Sequence, residues 1–416
     1  LDKTPLPEHN PELKNLHMFV RKKFHLEKQV KNAYIDITAD DYYKLYINGV
    51  YIGQGPAPSY YFHYYYNRYD VTDLLKPGDN VIAVHVYYQG LINRVWNSGD
   101  LRQGMIAELF IDGTLFLATD SSWKYIQAKE YTGTETTGYD TQFLEHIDNR
   151  LKEEGWKETD YSDSMWNPAC VNPYDDHKLV KQCTPVLEVY EIAPKEVKLL
   201  HNGHYFIDFG QEITGQFKMK AKGLAGQKIY IMCGEELAEE GEYLVRYNMR
   251  CNCNYRETWT LSGKEDVLEQ YDYKAFRYVE IEAPADTVEP DSFRAVVRHY
   301  PFNEESCRFY SSNHMLNKIW DICKNGVKYG SQEVFVDCPS REKGQYLGDI
   351  TVTAHSHLYL TGDLLLFKKA LKNFALSASI CPGLMAVAPG SLMQEIADYS
   401  LQWPVQLLNY YLQSGD

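Results

Sequence analysis

From Phe24 to about Ala118 apolar and polar residues alternate with a period of two, the pattern of half-buried strands. In AYIDITADDYYKLYINGVYIGQG (33–55) the pair Asn48-Gly49 predicts a type I′ hairpin turn between two strands. VIAVHVYY (81–88) alternates again after the turn residues Lys76-Pro77-Gly78-Asp79, and LFIDGTLFLA (109–118) holds a second hairpin at Asp112-Gly113. Residues 1–15 are polar and contain proline, as in an arm, and 119–185 are less regular. A second β block spans roughly 184–300, with YFIDFGQEITGQFKMKAKG, GQKIYIMCGEEL and AFRYVEIEAP punctuated by Gly223, Gly226, Gly234 and Gly241. Many short strands with regular turns predict two antiparallel, jelly-roll-like β-sandwiches.

The period changes after about Pro301. Leu316, Ile319, Trp320 and Cys323 share one helical stripe, with Asn313 as N-cap. A second helix starts with Asp349 at or near its cap, a third with Asp363, and a fourth runs through 398–416 with a kink at Pro404. The order is therefore β, β, α: an arm (1–15), a first sandwich (16–183), a second (184–303) and a helical part (304–416). Four helices leave the apolar faces Leu364–Phe367, Leu407–Leu408 and Tyr410–Tyr411 without partners.

Composition narrows the function classes. A chain of 416 residues, 44% hydrophobic, suggests about two to four domains. The balance of 42 Lys+Arg against 57 Asp+Glu, net −15, argues against nucleic acid or an anionic membrane as partner. No stretch approaches the roughly 20 apolar residues of a membrane span, and no signal-peptide core is present. The nine cysteines are irregularly spaced without a C-x-x-C pair, which argues against a zinc site and for free thiols in a reducing, cytoplasmic setting. The 35 tyrosines offer flat faces with hydroxyls, suited to sugars, though tyrosine also favours strands.

Walker, G-x-G-x-x-G, G-x-S-x-G and H-E-x-x-H motifs are absent. His355 and His357, two apart on a helix, point to different faces and do not share a metal. The stretch VFVDCPSREKGQYLGDI (334–350) is different. It sets Asp337, Glu342 and Asp349 around Arg341, in a loop shaped by Pro339, Gly344 and Gly348. One reading is a helix cap plus a solvated turn. The other is chemical: neighbouring carboxylates raise each other's proton affinity, so one stays protonated near neutral pH. An acid beside ionised carboxylates is what glycosidic cleavage needs.

DCPSREKGQYLGD resembles the signature of the α-L-rhamnosidases of glycoside hydrolase family 78, commonly D-C-P-x-R-D-E-R-x-G-W-x-G-D. YYKLYINGVYIGQGPAP, YDVTDLLKPGDNVIAVHVYYQG and ELFIDGT resemble that family's N-terminal sandwich. FIDFGQEITGQFKMKAKGLAGQKIYIMCGEEL and AFRYVEI resemble its next sandwich, and CRFYSSNHMLNKIWD the opening of its (α/α)6 barrel. The loop is one residue shorter than the common form, and Tyr346 stands where tryptophan is usual.

The resemblance implies an inverting hydrolase that releases terminal α-L-rhamnose from glycosides or oligosaccharides, without metal or organic cofactor. Glu342 is its general acid, Asp337, Arg341 and Asp349 hold sugar hydroxyls, and Tyr346 and Trp403 form aromatic walls. It also implies that the N-terminal sandwich binds sugar, some relatives with calcium, although nothing here fixes the ligands. Glu395 or Asp398 could be offered as general base, but the reading assigns that role to a residue C-terminal to this chain. The chain then corresponds to two sandwiches and the first third of the barrel, inactive alone. An oligomer is compatible with the sequence. The rival readings are a non-catalytic carbohydrate-binding protein and another inverting glycosidase on an (α/α)6 toroid.

Overall fold

A computed structural model of the chain describes residues 13–95, 102–171, 176–239, 241–390 and 394–416. They divide into two compact units. The first comprises residues up to 91, 97–129 and 152–186; the second comprises 92–96, 130–151 and 187–416.

In the first unit two sheets share one hydrophobic cluster. The six-stranded sheet has the order Asn167–Pro168, Lys124–Gln127, Leu16–Leu26, Gly78–Tyr88, Tyr42–Ile47, Val50–Gly55. The five-stranded sheet has the order Leu179–Lys181, Tyr64–Asp70, Ala33–Asp40, Gly104–Ile111, Thr114–Ala118. Alternation places Ile35 and Ile37 of one sheet and Leu45, Ile82 and Val84 of the other in the shared core, with Trp123. Both sequence hairpins form. Asn48 and Gly49 have φ of 50° and 83°, and Asp112 and Gly113 have 50° and 82°, the two left-handed positions of a type I′ turn.

Among the described residues the second unit carries one eight-stranded sheet and two two-stranded ribbons, Thr136–Thr137 with Gln142–Phe143 and Lys220–Lys222 with Glu265–Val267. Ile207, Phe217, Ile231, Trp259, Phe276 and Val279 fill its core. The strand Tyr205–Lys218 carries a bulge between Asp208 and Ile213, where Asp208 accepts two bonds from Arg277 and one from Gly210 N.

Residues 92–95 and 130–151 lie inside the sequence-predicted domain 16–183 but pack with the second unit. The reason is a buried polar anchor. Ile147–Asp148 pairs parallel with Arg256–Thr260. Beside it Lys274 Nζ lies 3.0 Å from Glu257 Oε1 and 3.7 Å from Glu145 Oε2, all three residues buried. Burial opposes the Lys274 charge, but Glu257 and Glu145 outweigh it and hold the ammonium protonated.

The described α-helices begin at 314: α1 (His314–Tyr329), α2 (Leu347–Thr361), α3 (Leu365–Ser377), α4 (Ala397–Ser400) and α5 (Trp403–Ser414). Asn313 caps α1, accepting from Met315 N at 2.9 Å. Asp363 accepts from Leu365 N and Leu366 N at the start of α3. Two expectations change. Asp349 is not the cap of α2; Tyr346 holds that position and Asp349 sits in the first turn. Pro404 does not kink a helix but opens α5, where its missing N–H costs no bond.

Leu347, Ile350, Leu366, Phe367, Phe374 and Tyr410 form the helical core. Leu407, Leu408 and Tyr411 remain exposed, as does the α1 stripe at Leu316 and Ile319. No helix among the described residues is long and apolar enough to cross a membrane.

Removing one partner of a buried charge cluster leaves the others uncompensated. Lys274→Met should therefore destabilise the second unit by about 3–5 kcal/mol. Denaturant unfolding measures this, and a loss below ~1 kcal/mol would show that the cluster does not hold segment 130–151.

Candidate active site

The loop 337–349 leaves a buried apolar stretch, Val334–Val336, and feeds α2. Its ends are tied together: Asp337 N donates to Gly344 O at 2.9 Å, and Gly344 N donates to Asp337 Oδ1 at 3.0 Å. Two glycines are required by close approach. A Cβ at Gly344 would lie 2.5 Å from the Tyr346 ring, and one at Gly348 would lie 2.6 Å from the Tyr399 ring.

Lys343 fixes the middle of the loop. It has a φ of 53° and is buried. Its Nζ donates to Tyr273 O at 2.7 Å and to Gln142 Oε1, lies 3.4 Å from Asp272 Oδ1, and sits 3.7 Å from the Tyr273 ring centroid. Burial pulls its pKa down to about 8, against the Asp272 charge. The neighbouring side chain, Glu342, is held separately. Tyr346 OH donates to Glu342 Oε2, and Arg94 Nη1 donates to Tyr346 Oη at 3.0 Å. Arg341 Nε and Arg94 Nη1 stand 3.6 Å and 4.0 Å from the Glu342 carboxylate.

The loop thus brings Asp337, Arg341, Glu342, Tyr346 and Asp349 together. Burial, with the Glu342 charge adding to it, pushes the Asp337 carboxyl up to about 6 despite bonds from Cys338 and Gly344. Burial also raises Asp349, again with Glu342 adding. Tyr346 is buried with its hydroxyl engaged, so it orients Glu342 more than it offers a ring face. Trp403 is not brought to the loop: its indole N–H donates to Leu371 O at 3.1 Å and its ring packs on the helical core. Glu395 and Asp398 are both exposed, Glu395 bonded to the Cys381 thiol. His357 is buried among Tyr300, Phe302 and Phe335, while His355 packs on Tyr359.

Several residues at the site are invisible to loop-based reasoning. Arg94 and Tyr139 come from segments that are distant in sequence, and Tyr139 N and Thr141 Oγ1 both donate to Arg341 O. Glu235, after the strand Lys228–Gly234, bonds Ser340 and feels Arg341, with burial raising its carboxyl. Tyr399 feels Asp349, Asp337 and Glu342. The only sequence signal for the first group is the irregularity of 92–95 and 130–145 within an otherwise alternating pattern.

Three family models match in tandem. Residues 28–191 match the α-L-rhamnosidase N-terminal domain, 198–299 the bacterial α-L-rhamnosidase concanavalin-like domain, and 304–416 its 6 hairpin glycosidase domain. The chain belongs to the bacterial α-L-rhamnosidase family. It is 27% identical over 368 residues to an α-L-rhamnosidase of Formosa agariphila and 26% over 363 residues to one of an Alteromonas species, each alignment covering 82% of this chain. The chain spans 38% of the length of both relatives. Among solved structures it resembles in fold a family 78 rhamnosidase of Bacillus sp. GL1, with TM-score 0.86, 16% identity, 97% of this chain and 66% of that one. It also resembles the Streptomyces avermitilis α-L-rhamnosidase solved with L-rhamnose, with TM-score 0.78, 23% identity, 97% of this chain and 40% of that one.

The Asp337 carboxyl gives a pH signature. Its pKa is about 6 in the fold against an ordinary 3.8. Between these values the folded protein keeps a proton that the unfolded chain has released, so stability falls as pH rises through that window. Above it the penalty is about 2–3 kcal/mol. Asp337→Asn removes the ionisation but keeps the Oδ1 acceptor. Its stability relative to the unmodified protein should rise between pH 4 and pH 7, by ~2 kcal/mol. Unfolding curves across that range check this; a constant difference would contradict it.

Proposed function

We propose that the protein hydrolyses terminal α-L-rhamnosides with inversion at the anomeric carbon, and that Glu342 is the general acid. The observation that carries the reading is the contrast between two carboxyls. Asp337 turns an oxygen to the loop backbone, whereas Glu342, held by Tyr346 and Arg94, lines an open cavity. Only a carboxyl facing a cavity reaches a glycosidic oxygen.

In this mechanism Glu342 gives its proton to the glycosidic oxygen as the bond from that oxygen to the anomeric carbon breaks. The bonding pair leaves with the oxygen. Water attacks the anomeric carbon from the opposite face and yields its proton to a second carboxylate, the two carboxyls lying roughly 6.5–9.5 Å apart. That base is a carboxylate other than those of the 337–349 loop. Asp337, Arg341 and Asp349 bind ring hydroxyls, and Tyr346 is a positioning residue. Tyr399 is better situated than Trp403 to face the sugar ring.

The organisation proposed here has four parts: an arm at 1–15, sandwiches at 16–183 and 184–303, and the beginning of an (α/α)6 barrel at 304–416, with 92–95 and 130–151 packing with the second unit. The last three parts are supported by the boundaries of the three matching family models. The nine cysteines, irregularly spaced and without a C-x-x-C pair, are read as thiols of a reducing compartment.

In the full-length protein, Glu342→Gln should preserve folding and rhamnose binding and lower turnover about 10²–10⁴-fold. The loss should shrink for nitrophenyl rhamnoside, whose leaving group needs no proton. Steady-state kinetics on both substrates decides the matter. Equal, small losses on both would remove Glu342 from the acid role.

A further inference from the structure

The cavity beside Glu342 has walls that the rhamnose-binding residues do not supply. It encloses about 460 Å³ and is formed by two short segments, 92–95 and 139–141, with Glu342 between them. Of the loop residues, Glu342 lines it; Asp337, Arg341, Tyr346 and Asp349 do not. A general acid stands at the boundary between the sugar being released and the group that leaves, because its proton goes to the oxygen joining them. Hydroxyl-binding residues occupy one side of that boundary. The cavity lies on Glu342 without them.

We propose that this cavity is the leaving-group subsite, and that it is built for a neutral sugar residue. The inference rests on Glu342 being the general acid. Tyr139 and Ile92, 56% and 57% exposed, offer apolar surface of the kind that covers the C–H face of a pyranose. Around them stand polar side chains of both kinds: Asn93, Arg94, Asp140 and Thr141. Arg94 and Asp140 carry opposite charges. An anionic leaving sugar would meet Asp140, and a cationic one would meet Arg94. A hydroxyl-rich ring can add hydrogen bonds to these groups beyond those they already make within the protein, which a flat aromatic group cannot.

The subsite is attached firmly to the acid. Tyr139 N donates to Arg341 O at 3.1 Å and Thr141 Oγ1 donates to the same oxygen. Asn93 Nδ2 donates to Asp140 O at 2.7 Å, joining the two walls. Val95 forms a β-bridge with Gly344. The cavity is therefore preformed with the loop, as binding sites usually are.

The test compares two substrates in the full-length protein. One is a rhamnosyl disaccharide with a neutral second sugar. The other is α-L-rhamnosyl fluoride, whose leaving group is too small to fill the cavity. Tyr139→Ala and Ile92→Ala change exposed side chains, so folding is not at risk. Each should lower the ratio of kcat/KM for the disaccharide to kcat/KM for the fluoride about tenfold, equivalent to ~1.4 kcal/mol. An unchanged ratio in both variants overturns the inference, even if Glu342→Gln behaves as an acid variant should. So does a tenfold preference of the unmodified protein for a uronate over a neutral second sugar. Cleavage of neither substrate by the unmodified protein overturns the hydrolase reading and this inference with it.

Discussion

One buried ammonium organises the site. Lys343 lies between Gln142, Asp272 and the Tyr273 carbonyl, over the Tyr273 ring. Burying a cation is costly unless it is bonded on several sides, and the downward shift of its pKa to about 8 records that cost. The cost has a structural return. With Lys343 turned inward in a left-handed conformation, its neighbour Glu342 is left to face outward. The anchor itself depends on the sheet. Asp272 and Tyr273 precede Lys274, whose cluster with Glu145 and Glu257 fixes the segment that supplies Gln142. Two buried lysines, Lys274 and Lys343, thus tie the loop, the segment 130–151 and the eight-stranded sheet into one support.

On the open side the electrostatics are mixed by design of the loop. Three carboxyls lie close together, and burial keeps two of them, Asp337 and Asp349, above the ordinary range. Arg94, Arg341 and the Tyr346 hydroxyl oppose that crowding around Glu342. A site with both influences can hold one proton among several acids, which is the requirement of glycosidic cleavage at moderate pH. The phenol at 346 is notable because the common family form has tryptophan there, which has no hydroxyl to give to a carboxylate's neighbourhood in this geometry. In this chain Arg94 and Glu342 are bridged by it.

Much of this was legible in the sequence. Period-two alternation located the strands of both units, Asn-Gly and Asp-Gly marked the hairpins, and Asn313 and Asp363 marked helix starts. The loop 337–349 announced itself by packing carboxylates, an arginine, a proline and glycines into thirteen residues. What could not be read was long-range. Arg94 meets Tyr346 across 252 positions and Thr141 meets Arg341 across 200. Local pattern carries no information about such pairs, because neither segment has a regular element whose face would reveal its direction. Asp349 was placed at or near a cap because an aspartate before an apolar run usually marks one; it lies in the first turn, the helix starting two residues earlier. Trp403 could be read from the sequence as a wall or as a helix core residue, because an indole on a helix looks alike in sequence whether it faces a cleft or a core. The Leu371 carbonyl that takes its N–H decides for the core.

The central claim is that the loop presents Glu342 at the junction of two binding regions. A crystal structure of the full-length Glu342→Gln protein with an uncleaved rhamnosyl disaccharide tests it most directly. The account predicts the rhamnose hydroxyls on Asp337, Arg341 and Asp349, and the bridging oxygen within about 2.6–3.2 Å of the residue at 342. The second sugar should then lie against Tyr139. A disaccharide bound with its bridging oxygen beyond reach of residue 342, or facing Asp337 instead, would contradict the account.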